Sequence, residues 1–297
     1  MAVTTQTRAP WGLARISHRP KLNVSTMNKY EHHETAGEGV DVYILSTGVN
    51  VNHEDFEGRA SWEFGQVIEY DDQEDIHGRG TQLAGIVAGQ KHGVAKRANI
   101  IAMKVSHAEE AADTKTLIEA LKVSAEKALQ LRRPSVILLD AHGANSKNAE
   151  LDAMVNTCVS KGIFVVVPAG DDNQDVSDHS PAGASGAFTV GSSTLSDERS
   201  PSSNYGPAVD IFAPGDNIVS TVADSNNNNA TGVMAGCGTP QAAAHAAGLA
   251  AYLLSTSADV TTANVRDAIT ALATKDALTG VPEGTSNLLA FNNASTA

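Results

Sequence analysis

Short apolar runs at 40–45, 98–105, 136–140, 163–170, 187–191 and 209–213 alternate with stretches of helical spacing. Val136-Ile137-Leu138-Leu139 and Ile163-Phe164-Val165-Val166-Val167 have no polar side of their own. A strand so uniformly apolar has to be covered on both faces, which demands a mostly parallel sheet layered between helices. The helical stretches lie at 75–89, 114–131, 148–161 and 236–254. In 114–131, Leu117, Ile118, Leu121, Ala125 and Leu129 recur at helical spacing. The fold class expected is α/β in one domain, because no linker or composition shift divides the 297 residues. Ligands of open α/β sheets bind outside the carboxyl ends of the strands. Here those ends carry Ser46, Ser106-His107, Asp140 to His142, and Asp171-Asp172, so a cleft is expected there. Residues 69–74 and 226–229 read as polar loops.

The stretch Gly236-Cys237-Gly238-Thr239-Pro240-Gln241-Ala242-Ala243-Ala244-His245 turns through glycines and becomes an alanine-rich helix continuing to Leu254. Small residues on every face let neighbouring backbones approach, and Pro240 suits a first helical turn, where its missing N–H is not needed. Such a helix is read as central and buried, and its start as an elbow that displays a group to the cleft.

A formal net charge of −13 argues against nucleic acid and anionic membranes as partners. No apolar run is long enough to span a membrane, and the first residues lack the apolar core of a secretory signal. Two cysteines cannot build a disulfide framework. Cys158, among Leu151, Met154 and Val155, reads as a buried thiol, and Cys237 lies in the glycine turn.

The order of these segments resembles the subtilisin-like serine proteases, most nearly the proteinase K subfamily of secreted fungal enzymes. The resemblance is carried by Ala9-Pro10-Trp11-Gly12-Leu13-Ala14-Arg15-Ile16, His53-Glu54-Asp55-Phe56-Glu57-Gly58-Arg59-Ala60, Ser203-Asn204-Tyr205-Gly206, Asp210-Ile211-Phe212-Ala213-Pro214-Gly215, and the run from His245 to Leu253. It implies one subtilisin-like, peptidase S8-like domain over 1–297 with a three-layer α/β architecture, and neither signal nor propeptide in this chain. It also implies where chemistry belongs. The family's catalytic Asp falls at Ser46 in Ser46-Thr47-Gly48, its His at Arg79 in Gly78-Arg79-Gly80-Thr81-Gln82, and its nucleophile at Pro240. Its oxyanion Asn falls at Asp171.

Triad chemistry needs a hydroxyl, an imidazole that takes its proton and a carboxylate that orients the ring. Proline offers no nucleophile and no N–H, arginine has no lone pair for a proton near neutral pH, and an aspartate at the oxyanion position repels a developing negative charge. The expectation is therefore a pseudoprotease whose former cleft binds a small-molecule or peptide ligand. The alternative is a repurposed, non-proteolytic enzyme, such as a cyclase or isomerase of fungal specialised metabolism. Candidate ligand-binding or acid–base groups are Arg79, His142, Asp171, Asp172, His107 and Cys237, with Arg79 either paired to Asp171 or free for an anion. The bland alternatives are solvated loop histidines at His77, His107 and His142 and an inert thiol at Cys237. The family's cysteine positions fall at residues including Asp41, Leu83 and Phe188, which points to a reducing, cytoplasmic compartment. No cofactor is expected apart from structural calcium at Asp210, whose co-ligands in the family are mostly backbone carbonyls, here near Ser185 and Ala187. A monomer is expected.

Overall fold

The computed structural model of the chain describes residues 2–63, 73–107, 112–141, 146–223 and 233–294. The elements, in chain order, are β1 (Val3–Thr7), α1 (Trp11–Ser17), β2 (Lys29–His33), β3 (Asp41–Ser46), β4 (Ala60–Trp62), α2 (Arg79–Ala88), β5 (Asn99–Lys104), α3 (Thr114–Leu131), β6 (Ser135–Leu139) and α4 (Ala149–Ser160). They continue with β7 (Phe164–Pro168), β8 (Phe188–Ser193), β9 (Ile211–Pro214), β10 (Ile218–Thr221), β11 (Val233–Gly236), α5 (Thr239–Thr256), α6 (Val265–Leu272), β12 (Thr274–Lys275) and β13 (Leu288–Leu289). A nine-stranded sheet runs in the order β12-β13-β9-β8-β7-β6-β3-β5-β4, parallel except where β12 meets β13. The alternation of apolar strands and helices thus folds as expected, as a mostly parallel sheet covered on both faces.

Successive strand residues serve two cores. Val42, Ile44, Val136, Leu138 and Val166 point to the side of α2 and α5, with Leu83, Val87, Ala243, Ala247 and Leu249 packed on them. Tyr43, Leu45, Ile137, Leu139 and Val165 point to the side of α3 and α4, against Leu117, Leu121, Leu151, Val155 and Cys158. Each large aliphatic side chain fully removed from water contributes about 1.5–3 kcal/mol, so both faces are heavily stabilised. Cys158 is the buried thiol its neighbours imply, and burial pushes its pKa up to about 11.

α5 is buried from Thr239 through Leu253 on all sides. Its alanines are what allow this, since α2 and the middle strands close in around it. Antiparallel pairs β1–β2 and β10–β11 lie apart from the main sheet. No helix among the described residues is long and apolar enough to cross a membrane.

Candidate functional site

Two helices begin at the carboxyl ends of the middle strands, where the cleft is expected. The first is α2. Buried Asp75 holds the turn before it: one oxygen accepts from Thr47 Oγ1 and the Gly78 N–H, both at 2.8 Å, and the other from the Thr81 N–H (2.8 Å) and hydroxyl (2.6 Å). A carboxylate here answers helix N–H groups that have no partner within the helix. Gly80 then brings α2 against the end of β3, because a Cβ on it would lie 1.9 Å from the Gly48 carbonyl oxygen. The consequence is that Arg79, first residue of α2, stands over Ser46.

Arg79 Nε donates to Asp140 Oδ2 at 3.1 Å, and the Ser46 hydroxyl donates to the same oxygen at 2.7 Å. Asp140 follows β6 and is buried, whereas Arg79 keeps 19% of its side chain exposed toward the cleft. Of the two partners open to Arg79 from sequence, Asp171 is not the one: the ion pair is with Asp140. The physical reason is reach, since α2 delivers the guanidinium to the β3–β6 edge and Asp171 is held elsewhere.

The second helix start is α5. Gly238 precedes it at φ +134°, a backbone conformation that side chains disfavour, and a Cβ there would meet Asp171 Oδ2 at 2.8 Å. Asp171 sits in an exposed turn after β7, yet its carboxylate tucks beneath α5. Both oxygens accept from the Thr239 N–H, at 3.0 and 3.2 Å, and Oδ2 also from the Thr239 hydroxyl at 3.1 Å. The positive end of the helix is thereby occupied by the chain's own anion. Burial raises the pKa of this carboxyl, partly offset by the two Thr239 donors and the charge of Arg79. Thr239 Oγ1 accepts from Gly170 N at 3.0 Å and is fully buried, so it is no free nucleophile. Pro240 is the second residue of α5, and its ring lines the cleft.

Between the helix starts lies a cavity of about 170 Å³ lined by Arg79, Asp140, Asp171, Asp172, His179, Asn204, Thr239 and Pro240, with apolar walls from Ala141, Pro168 and Ala182. Asn204 shapes it by accepting from the Asp172 N–H (3.1 Å) and the Gln174 N–H (2.9 Å) and donating to the Ala169 carbonyl (2.9 Å). Two polar atoms of lining residues, Asp140 Oδ1 and His179 Nδ1, are buried without a hydrogen-bond partner among the described residues. Leaving such a group unpaired costs about 1–3 kcal/mol.

Of the sequence candidates, Ser46, Arg79, Asp171, Asp172 and Pro240 gather around this cleft. His142 and the polar loop at 226–229 lie outside the described residues, as do 69–72 of the acidic loop. His107 is exposed and does not line the cavity, and His77 is likewise exposed. Cys237 is exposed beside Asn217, whose N–H donates to its sulfur at 3.2 Å, and it too stands off the cavity. Asp210, just before β9, accepts the Thr189 N–H at Oδ2 (2.7 Å) and Arg266 Nη1 at Oδ1. Arg266 Nη2 donates to the carbonyls of Gly186 (3.1 Å) and Ala187. Sequence reasoning placed Asp140 at the strand end beside the cleft but gave it no role, and did not single out His179 or Arg266. For Asp140 a signal existed, a carboxylate closing an otherwise apolar strand.

The chain matches the sequence model of the subtilase family over residues 37–288. It is 42% identical to the subtilisin-like serine protease Pen ch 18 of Penicillium rubens, over 99% of this chain and 61% of that protein. It is 41% identical to the subtilase-type proteinase psp3 of Schizosaccharomyces pombe, over 98% of this chain and 64% of that protein. It therefore spans somewhat under two thirds of the length of these relatives. A solved cold-adapted subtilisin-like serine proteinase superposes with a TM-score of 0.85 at 31% identity, covering 97% of this chain and all of the other.

Proposed function

The chain belongs to the subtilase family, and from that premise we propose that it has given up serine peptidase chemistry and uses the old cleft to bind a ligand. The observation that carries this reading is the pair of buried, unpartnered atoms on one small cavity, Asp140 Oδ1 and His179 Nδ1. A ligand that presents a hydrogen-bond donor to Asp140 recovers what the free protein leaves unmade. An amine or hydroxyl on a small molecule or a peptide end fits that acceptor. The neighbouring guanidinium of Arg79 suits an oxygen acceptor on the same ligand.

The loss of peptidase chemistry is supported by the groups at the two helix starts. Ser46, Asp140 and Arg79 form a hydroxyl–carboxylate–guanidinium chain with no proton acceptor of imidazole type in it. At α5, proline stands beside a buried, doubly bonded threonine hydroxyl. Pro240 has no N–H to offer an oxyanion, and the negative carboxylate of Asp171, held by the Thr239 N–H, stands where a neutral donor would be needed.

Two assays test the reading. The purified protein is expected neither to cleave an unstructured fluorogenic peptide nor to react with a serine-directed fluorophosphonate. Hydrolysis that persists through homogeneity and disappears in Thr239→Ala would sink the claim of lost chemistry. A thermal-shift panel of amines, hydroxylated metabolites and short peptides is expected to yield a stabilising ligand whose effect falls at least about tenfold in affinity in Asp140→Asn. Ligands that bind equally well to Asp140→Asn and His179→Ala would show that the cavity is not the site.

A further inference from the structure

The surroundings of Asp210 are those of a hard-cation site. Its carboxylate and the carbonyls of Gly186 and Ala187 all face one guanidinium, an all-oxygen set of the kind calcium takes. The turn carrying the carbonyls is held independently. The Gly186 N–H donates to Asn156 Oδ1 at 2.8 Å, and the Ala187 N–H donates to the Ala184 carbonyl at 3.0 Å. Thr189 N–H fixes the second carboxylate oxygen at 2.7 Å. The cage is thus built by its own backbone.

We infer that the Arg266 guanidinium is the resident cation of this cage and that calcium does not fit it. All three converging oxygens already accept from Nη1 or Nη2, and the guanidinium carbon lies 5.5 Å from the centroid of the Phe188 ring, which closes the site from another side. One carboxylate and one guanidinium balance in charge, whereas a divalent ion would leave an excess positive charge and could enter only by expelling Arg266. The placement of Arg266 also has no local motive. It is the second residue of α6, where the helix dipole disfavours a cation, so its reward lies in the tertiary contact. The guanidinium ties the 184–187 turn to the start of β9, as a bound ion would, and adds α6 to the pair.

The experiment is calorimetric melting of the intact chain in EDTA, in millimolar CaCl₂ and in NaCl of matched ionic strength. Wild type is expected to melt at the same temperature in all three. Arg266→Ala is expected to melt about 3 °C lower in EDTA and to recover most of that in CaCl₂ alone. Adding Asp210→Asn to that variant should abolish the recovery. The inference is overturned if Arg266→Ala gains no more from calcium than wild type does, or if wild type gains from calcium and loses that gain on Asp210→Asn. Should Arg266→Ala not fold, Arg266→Gln, which keeps part of the side-chain packing but carries no charge, is read against the same criteria.

Discussion

Arg79–Asp140 and Arg266–Asp210 are both guanidinium–carboxylate pairs on partly buried ground, but their surroundings differ. Around Arg266 every converging oxygen is bonded, and both oxygens of Asp210 have partners. Around Arg79 the pair is lopsided: Asp140 Oδ2 accepts twice while Oδ1 accepts from no described group. A completed pair ties elements together. An incomplete one facing a cavity leaves room for something else, which separates the proposed ligand cleft from the proposed cation substitute.

The largest effect expected of any single change is at the completed pair. Breaking a fully buried ion pair costs about 3–5 kcal/mol; the 34% exposure of the Arg266 side chain lets water screen Asp210, so Arg266→Ala is expected to cost about 2 kcal/mol, roughly 3 °C in melting temperature for a chain of this length. Its pH dependence follows from Asp210. Burial raises the pKa of that carboxyl, and Arg266 and the Thr189 N–H pull it back. Without Arg266 the folded-state value moves further up, so the folded variant takes up a proton at a pH where the unfolded chain does not. The gap between variant and wild type should therefore narrow as pH falls from neutrality toward the carboxylate range. A gap that widens on acidification refutes the pairing. The difference is the quantity to measure, because the wild-type curve carries an opposite slope from His245. Burial lowers that imidazole to about 4 from 6.5, and its share of stability is complete above pH 6.5 and lost as pH falls through about 4.

Next in size is Asp171→Ala. It strips the Thr239 N–H of its acceptor and should cost about 1–2 kcal/mol, the range for a lost helix cap. An unchanged denaturation midpoint would mean that water serves α5 equally well.

The smallest stability effect is expected at the incomplete pair. The Arg79–Asp140 pair is the less exposed of the two, but Arg79 is one wall of the cavity; in Arg79→Ala water enters the vacated space and the Ser46 hydroxyl still donates to Asp140, so the loss should stay at about 1 kcal/mol by urea titration. A loss as large as that of Arg266→Ala would erase the distinction between the pairs.

Much of the frame was legible in the sequence because it rests on periodicity. Val136 to Leu139 and Phe164 to Val167 could hardly be anything but covered strands, and Leu117, Leu121 and Ala125 could hardly face water. Far less of the outer structure was. β1 and β2 pair across a long separation, Val3 with His33 and Thr7 with Lys29, through polar residues whose alternation resembles that of loops. β12 and β13 are two residues each. At the site, the resemblance located Ser46, Arg79, Asp171 and Pro240, but it could not say which carboxylate would take the guanidinium. That depends on Gly80 pressing α2 onto β3, a distance no spacing encodes. Asp140 and Arg266 went unassigned for a related reason, since their partners are remote in sequence and defined only once the sheet has formed.

α5 is surrounded by structure on every side, yet the ribosome makes it late, after seven of the nine strands of the main sheet. Until Thr239 and the residues beyond it emerge, β6, β7 and β8 have no helix over one of their faces, because α2 and α1 reach only the strands on either side. Assembly of the centre must therefore wait until α5 has been made and depends on contacts far apart along the chain, the kind that close slowly. A chain halted before Thr239 should remain open to protease and prone to self-association, however well its earlier helices have formed.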